Sequence, residues 1–116
     1  MLLEILKSKI HRVKVTEANL NYIGSITIDR ELMDAAGLFK NEKVSVVNIG
    51  NGERVETYVI EGERGSGKIG INGAAAHKFS PGDLIIIMAY CAITPEEAEG
   101  FAPKIIFPDS NSNRLV

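Results

Sequence analysis

With 116 residues the chain is the size of one domain and can bury roughly two-thirds of its unfolded surface. Apolar residues make up 45% and charged residues 24%, an ordinary globular balance, and the net charge of −2 supplies no general attraction to nucleic acid or an anionic membrane. Cys91 stands alone, which excludes an internal disulfide and a cysteine-based metal cluster.

Taken in order, Leu2 to Val15 reads as a strand. Its start, Met-Leu-Leu-Glu-Ile-Leu-Lys, is broken by Glu4 and too short for a signal-peptide core. Lys7, Lys9 and His11 share one face with Val13 and Val15, while Ile10, Arg12 and Lys14 share the other. Strict alternation would turn Lys9 and His11 toward the protein, although a solvated edge strand with guard lysines is the commoner use of this pattern. Tyr22-Ile23-Gly24-Ser25 then leads into Ile26-Thr27-Ile28-Asp29, whose alternation is that of a half-buried strand. Asp29 is placed to cap a short helix, Arg30 to Ala36, which Gly37 stops. Lys43 to Ile49 and Arg54 to Ile60 are β-rich runs joined through Gly50-Asn51-Gly52-Glu53, where Asn-Gly signals a hairpin.

Gly62 to Gly67 is a second turn, before a short strand from Lys68 to Ile71. Asn72-Gly73-Ala74-Ala75-Ala76-His77 reads as an N-cap and one helical turn with open amides for an anion, or else as a plain turn. Pro81-Gly82-Asp83 turns into Leu84 to Ile93, half a membrane span in length and therefore expected to be a buried strand. Thr94-Pro95-Glu96-Glu97 is a capping box opening a short helix that Gly100 closes. Lys104 to Phe107 is a candidate last strand, and polar Asp109 to Val116 is expected to be a flexible, frayed tail. No repeat or linker divides residues 1–116. The tally of six or seven short strands and three helical turns predicts a mainly β fold with a few short helices, best met by a small closed barrel in a cytoplasmic protein.

Several patterns are set aside on context. Gly65-Ser66-Gly67-Lys68-Ile69-Gly70 matches a dinucleotide fingerprint, and the run from Gly62 falls one residue short of a phosphate loop. Neither precedes a long crossover helix, so a glycine-rich hairpin turn is expected. His11 and His77 have no partners at metal-ligand spacing, and Cys91 reads as a core residue. No metal site is expected.

The pair Gly24-Ser25 carries the sharper chemistry. A serine hydroxyl beside the carbonyl preceding it permits an amide-to-ester rearrangement where glycine relaxes the backbone. For a lone Gly-Ser an ordinary turn is the usual outcome. Here four motifs stand in order: Lys9-Ile10-His11, Tyr22-Ile23-Gly24-Ser25, Arg54-Val55-Glu56-Thr57-Tyr58 and Asn72-Gly73-Ala74-Ala75-Ala76. Over nearly its whole length the chain resembles the pyruvoyl-dependent aspartate 1-decarboxylase family, with no departure at the motif positions. The resemblance implies a double-psi β-barrel, a homotetramer with sites between subunits, and L-aspartate converted to β-alanine and CO2 for pantothenate and so coenzyme A synthesis.

It also implies self-cleavage of a zymogen between Gly24 and Ser25. The products are a small chain, 1–24, and a large chain, 25–116, that begins with a pyruvoyl group made from Ser25. That cofactor forms a Schiff base with the substrate amine, so neither metal nor pyridoxal phosphate is needed. Among the residues the resemblance assigns, Tyr22, Gly24, Ser25 and Thr57 serve processing, with Thr57 holding the oxyanion. Arg54 takes a substrate carboxylate, Lys9 and His11 make further substrate or cut-end contacts, and Tyr58 is the acid that reprotonates carbon. Thr57 as well as Asn72 and the amides of Gly73, Ala74 and Ala75 complete the substrate contacts. In a regular strand Arg54 and Tyr58 share a face that Thr57 does not, so either this strand is irregular or two subunits build the site.

Residues 25–60 also resemble the swapped-hairpin transition-state regulators that bind DNA as dimers. The 15 acids against 13 Lys and Arg argue against that reading, and no nucleic-acid or membrane partner is expected. A barrel adaptor without chemistry leaves the four motifs unexplained.

Overall fold

The computed structural model describes all residues, Met1–Val116. Eight strands appear in chain order: β1 (Leu3–Lys14), β2 (Glu17–Asn19), β3 (Ser25–Asp29), β4 (Lys43–Asn48), β5 (Arg54–Gly62), β6 (Ile69–Asn72), β7 (Leu84–Ile93) and β8 (Lys104–Ile106). Helix α1 (Arg30–Ala36) follows β3, a 3-10 turn (Gly73–Lys78) follows β6, and α2 (Pro95–Glu99) follows β7. The hydrogen-bonded strand order is β2-β6-β3-β5-β4-β7-β1-β8.

The two ends of that order meet through the chain itself. β1 pairs with β7 and β2 pairs with β6, yet β1 and β2 are separated only by Val15 and Thr16. Val15 N–H donates to Asp83 O and Thr16 N–H to Ile69 O, each at 2.8 Å, so this short joint carries the run from one neighbour to the other. Counting β1 and β2 as one run gives a six-strand ring, with β8 added outside on β1 in parallel. The ring is less strictly closed than the sequence reading expects, because no continuous ladder spans the joint. Within it, β3 is parallel to β5 and antiparallel to β6. Nineteen buried apolar residues, among them Ile10, Ile26, Ile28, Val59, Ile71 and Ile87, fill the barrel and the space under α1.

The local signals act as their chemistry dictates. Asp29 caps α1 by accepting from Glu31 N–H, and the same carboxylate accepts from Gly65 and Gly67 N–H, all at 2.9 Å. The glycine-rich turn thus gives its amides to an internal carboxylate, as a structural turn would. Asn51-Gly52 closes the β4–β5 hairpin, and the Thr94/Glu97 capping box forms in full.

Four expectations give way to longer-range packing. In β1, Arg12 adopts φ +68° and the register with β7 shifts between His11 and Val13. That bulge changes the phase, so Ser8, Ile10, Val13 and Val15 all point inward, and Val13 and Val15 do not continue the face of Lys9 and His11. β3 is buried on both faces rather than one, in the middle of the sheet between β5 and β6. β7 alternates instead of being buried throughout, and Cys91 sits half-buried at its margin with Sγ 3.7 Å from Ile5 O. The polar tail is pinned at Asn113, 1% exposed, which accepts from Lys14 N–H and donates to Lys14 O and Gly67 O, each at 2.8 Å. Gly67 permits this packing, since a Cβ there would stand 2.6 Å from Ser112 O.

Candidate functional site

Ser25 is the first residue of β3, reached from an exposed loop. Tyr22 is 53% and Ile23 73% exposed, whereas Ser25 is 1% exposed, so the Gly24–Ser25 bond marks the edge of the barrel. The Ser25 hydroxyl donates to the Ile23 carbonyl at 3.1 Å, which holds the oxygen over the peptide units preceding it. It accepts in turn from Asn72 Nδ2 at 3.0 Å, and the same Nδ2 donates to Thr27 Oγ1 at 3.0 Å. The register explains the meeting: Ser25 pairs with Asn72 across β3 and β6, and Ser25 and Thr27 lie on one face of β3.

Asn72 therefore does not cap the following turn as the sequence suggests. Its side chain makes no capping bond and is spent on the two hydroxyls, both in its reach because β6 lies against β3. The next residue, Gly73, has φ +75°, and a Cβ on it would stand 2.6 Å from Gly24 Cα and 2.9 Å from Gly24 N. Only glycine admits this contact with the loop. Gly24 itself is not among the positive-φ residues, and a Cβ on it would meet nothing within 4 Å. The steric requirement for glycine falls on Gly73 rather than Gly24. Ala74 is exposed beside it, and Ala75 packs against the core edge.

On the other side of β3, Ile26 pairs with Val59, which places Tyr58 level with Ser25 on β5. The β4–β5 register runs unbroken from Lys43↔Tyr58 to Val47↔Arg54, so this strand is regular. Tyr58 and Arg54 consequently share the outer face, while Thr57 lies on the inner face with Val55 and buried Val59. Four residues of strand separate Arg54 from Tyr58, about 13 Å. Lys9 and His11 lie on β1 against β7, on the far part of the strand order from β3. One chain thus brings together Ser25, Asn72 and Gly73 with Tyr22 and Gly24 in the adjoining loop and Tyr58 at the same level. It does not bring Arg54, Lys9 or His11 to them.

His11 is half-buried, its ring edge-on to Phe107 at 5.5 Å, and its Nδ1 is buried without a partner. Burial, then the charges of Lys9 and Arg12, hold its pKa below the ordinary histidine value.

Thr27 is the residue that sequence reasoning missed. Alternation marked it only as the polar position of a strand, and nothing local reports a partner 45 residues away. Thr27 and Asn72 also border a polar cavity of about 400 Å³ with Glu17, Asn19, Tyr22 and Lys68. A larger groove of about 700 Å³, between α1, β1 and β8, is lined by none of the residues named for the site. No three His, Cys, Asp or Glu side chains cluster as metal ligands would, and no helix is long and apolar enough to cross a membrane.

Comparison with known proteins identifies a family for the whole chain. The family model described as aspartate decarboxylase matches residues 1–115. The aspartate 1-decarboxylase of Parabacteroides distasonis is 63% identical over 116 residues, the whole of both chains. That of Caldicellulosiruptor saccharolyticus is 67% identical over 116 residues, all of this chain and 90% of the other. That of Bacteroides thetaiotaomicron is 59% identical over 116 residues, all of this chain and 99% of the other.

Proposed function

The chain belongs to the aspartate decarboxylase family, and from that premise we propose that it is a cytoplasmic aspartate 1-decarboxylase releasing β-alanine and CO2 for pantothenate synthesis. The observation that carries this reading is the Ser25 hydroxyl, buried and fixed beside the exposed Ile23–Gly24 peptide by Asn72.

The residues fit a pyruvoyl group made from Ser25. The hydroxyl is held next to the bond to be cut, and the missing Cβ of Gly73 leaves the Gly24 backbone room beside it. In the first step Ser25 Oγ bonds to the Gly24 carbonyl carbon, and the bond from that carbon to Ser25 N breaks. The hydroxyl proton passes to the freed nitrogen. Thr57, on the inner face of β5 one residue before Tyr58, is the side chain that the family resemblance gives to the oxyanion of this attack. Loss of the Ser25 Cα proton then breaks the Cβ–O bond and releases residues 1–24 with a Gly24 carboxylate. Water replaces the Ser25 nitrogen, which leaves as ammonia. The resulting ketone supplies the electron sink that loss of an α-carboxylate requires.

The remaining side chains bind and move protons. Tyr58, level with Ser25, gives its phenolic proton to the substrate carbon once CO2 has left. Asn72 and the amides of Gly73, Ala74 and Ala75 hold the substrate, and Tyr22 packs over the cut end. The planar fork of Arg54 takes a substrate carboxylate, assisted by Lys9 and His11. Because one chain keeps those three away from Ser25, a neighbouring copy in a homotetramer supplies them. Exposed Ile23, Phe107 (63%) and Tyr90 (43%) give apolar surface for such contacts.

Purified protein given L-aspartate without pyridoxal phosphate should release β-alanine and CO2 in equal amounts. Borohydride added with aspartate should fix a substrate-derived mass on the 25–116 fragment. Fully cleaved protein that leaves aspartate untouched overturns the reading.

A further inference from the structure

We propose that Thr27 is a positioning residue for chain cleavage, its hydroxyl accepting one hydrogen of the Asn72 side-chain amide so that the other points at Ser25 Oγ. The inference rests on the self-cleavage described above and deepens it. Both N–H groups of Asn72 Nδ2 are used, on Ser25 Oγ and Thr27 Oγ1, each at 3.0 Å. The three residues are nearly sealed, with Asn72 3%, Thr27 7% and Ser25 1% exposed. A side-chain amide offers two donors at one end and only acceptors at the other, so its orientation decides what Ser25 meets.

In the orientation present, Ser25 accepts from Asn72 and its own proton goes outward to the Ile23 carbonyl. The oxygen is then held toward the peptide it attacks. In the reversed orientation Asn72 Oδ1 would draw the Ser25 proton inward, away from Ile23. A buried N–H without an acceptor is costly, whereas a carbonyl oxygen with a spare lone pair is much less so. The acceptor on Thr27 is therefore what makes the outward arrangement the satisfied one. A hydroxyl carries two lone pairs besides its proton, so Thr27 Oγ1 can accept from Asn72 while it borders the polar cavity. Thr27 touches no reacting atom and acts through Asn72.

The test measures cleavage half-time of the freshly made full-length chain by denaturing gel and intact mass, with a thermal melt of each variant. Thr27→Val keeps shape and loses the acceptor. It should slow cleavage roughly ten- to a hundredfold, with a lowered melting temperature that still leaves the protein fully folded under the assay conditions. Thr27→Ala removes the same acceptor without added bulk and should slow cleavage likewise, while Thr27→Ser should restore the rate. In an Asn72→Ala background, Thr27→Val should add no further slowing. Thr27→Val cleaving as fast as wild type overturns the proposal. So does Thr27→Ser as slow as Thr27→Val, or a full additional slowing in the Asn72→Ala background. Wild-type protein that never cleaves overturns the cleavage reading and this proposal with it, whereas cleaved wild type with unaffected Thr27 variants overturns this proposal alone.

Discussion

Gly73→Ala adds one methyl group where two chain segments already touch. The new Cβ would stand 2.6 Å from Gly24 Cα, 2.9 Å from Gly24 N and 3.2 Å from Tyr22 O, all backbone atoms. No rotamer change relieves contacts of that kind. The residue must also hold φ +75°, which costs a non-glycine residue about 1–2 kcal/mol. Forcing a methyl into a packed contact adds about 1–3 kcal/mol. The sum, about 2–5 kcal/mol, is divided between lost stability and displacement of the loop ending at Gly24. If all of it fell on stability, the melting temperature would drop by roughly 8–20 °C. Any part relieved by moving the loop appears instead as slowed cleavage, since in the proposed reaction Gly24 carries the carbonyl that Ser25 attacks. The assay is a melt and a cleavage time course on the same sample. Gly73→Ala that melts within about 2 °C of wild type and cleaves at the same rate would refute the close approach.

Tyr58→Phe should leave cleavage intact and depress turnover by about 10²–10⁴-fold, the usual contribution of a positioned acid; unchanged turnover in a steady-state assay would move the acid role elsewhere. His11 titrates below the ordinary histidine value, so its neutral form is favoured in the folded chain and stability is lost as pH falls through about 6.5. An imidazole NMR titration should find its midpoint below that value, and a midpoint above it would contradict the burial of the ring. Asn113→Ala breaks three hydrogen bonds to Lys14 and Gly67 and should lower stability by about 2–3 kcal/mol in denaturant melts, with cleavage at room temperature unaffected.

The parts of this fold that were legible in the sequence are those whose partners are near in the chain. Asp29 finds Glu31 two residues on, Thr94 finds Glu97 three residues on, and Asn51-Gly52 closes a hairpin between adjacent strands. The bulge at Arg12 left no local sign, and it reversed the inward face of β1 after His11. Asn113 reads as part of a frayed tail because its partner Lys14 lies 99 residues away. Within the candidate site the Gly-Ser pair and the Asn-Gly pair were each visible, but their contact was not. Gly73 needs to be glycine for the sake of Gly24, and Asn72 turns from a cap into a donor, only because β6 pairs with β3. The opposite faces of Thr57 and Tyr58 were visible from strand periodicity alone, and the regular register of β5 keeps them opposite.

The central claim is that Ser25 cuts the chain before itself and becomes the cofactor. Intact mass of freshly purified protein tests it most directly. The account predicts a small fragment ending at Gly24 and a 25–116 fragment lighter by one ammonia than a chain beginning with serine, since the hydroxyl oxygen leaves with Gly24 and a ketone oxygen replaces the amine. Ser25→Ala, which lacks the attacking hydroxyl, should run as one chain with its melting temperature preserved. Wild-type protein that keeps a single unbroken mass after prolonged warming, or a 25–116 fragment that retains its serine amine, would contradict the account.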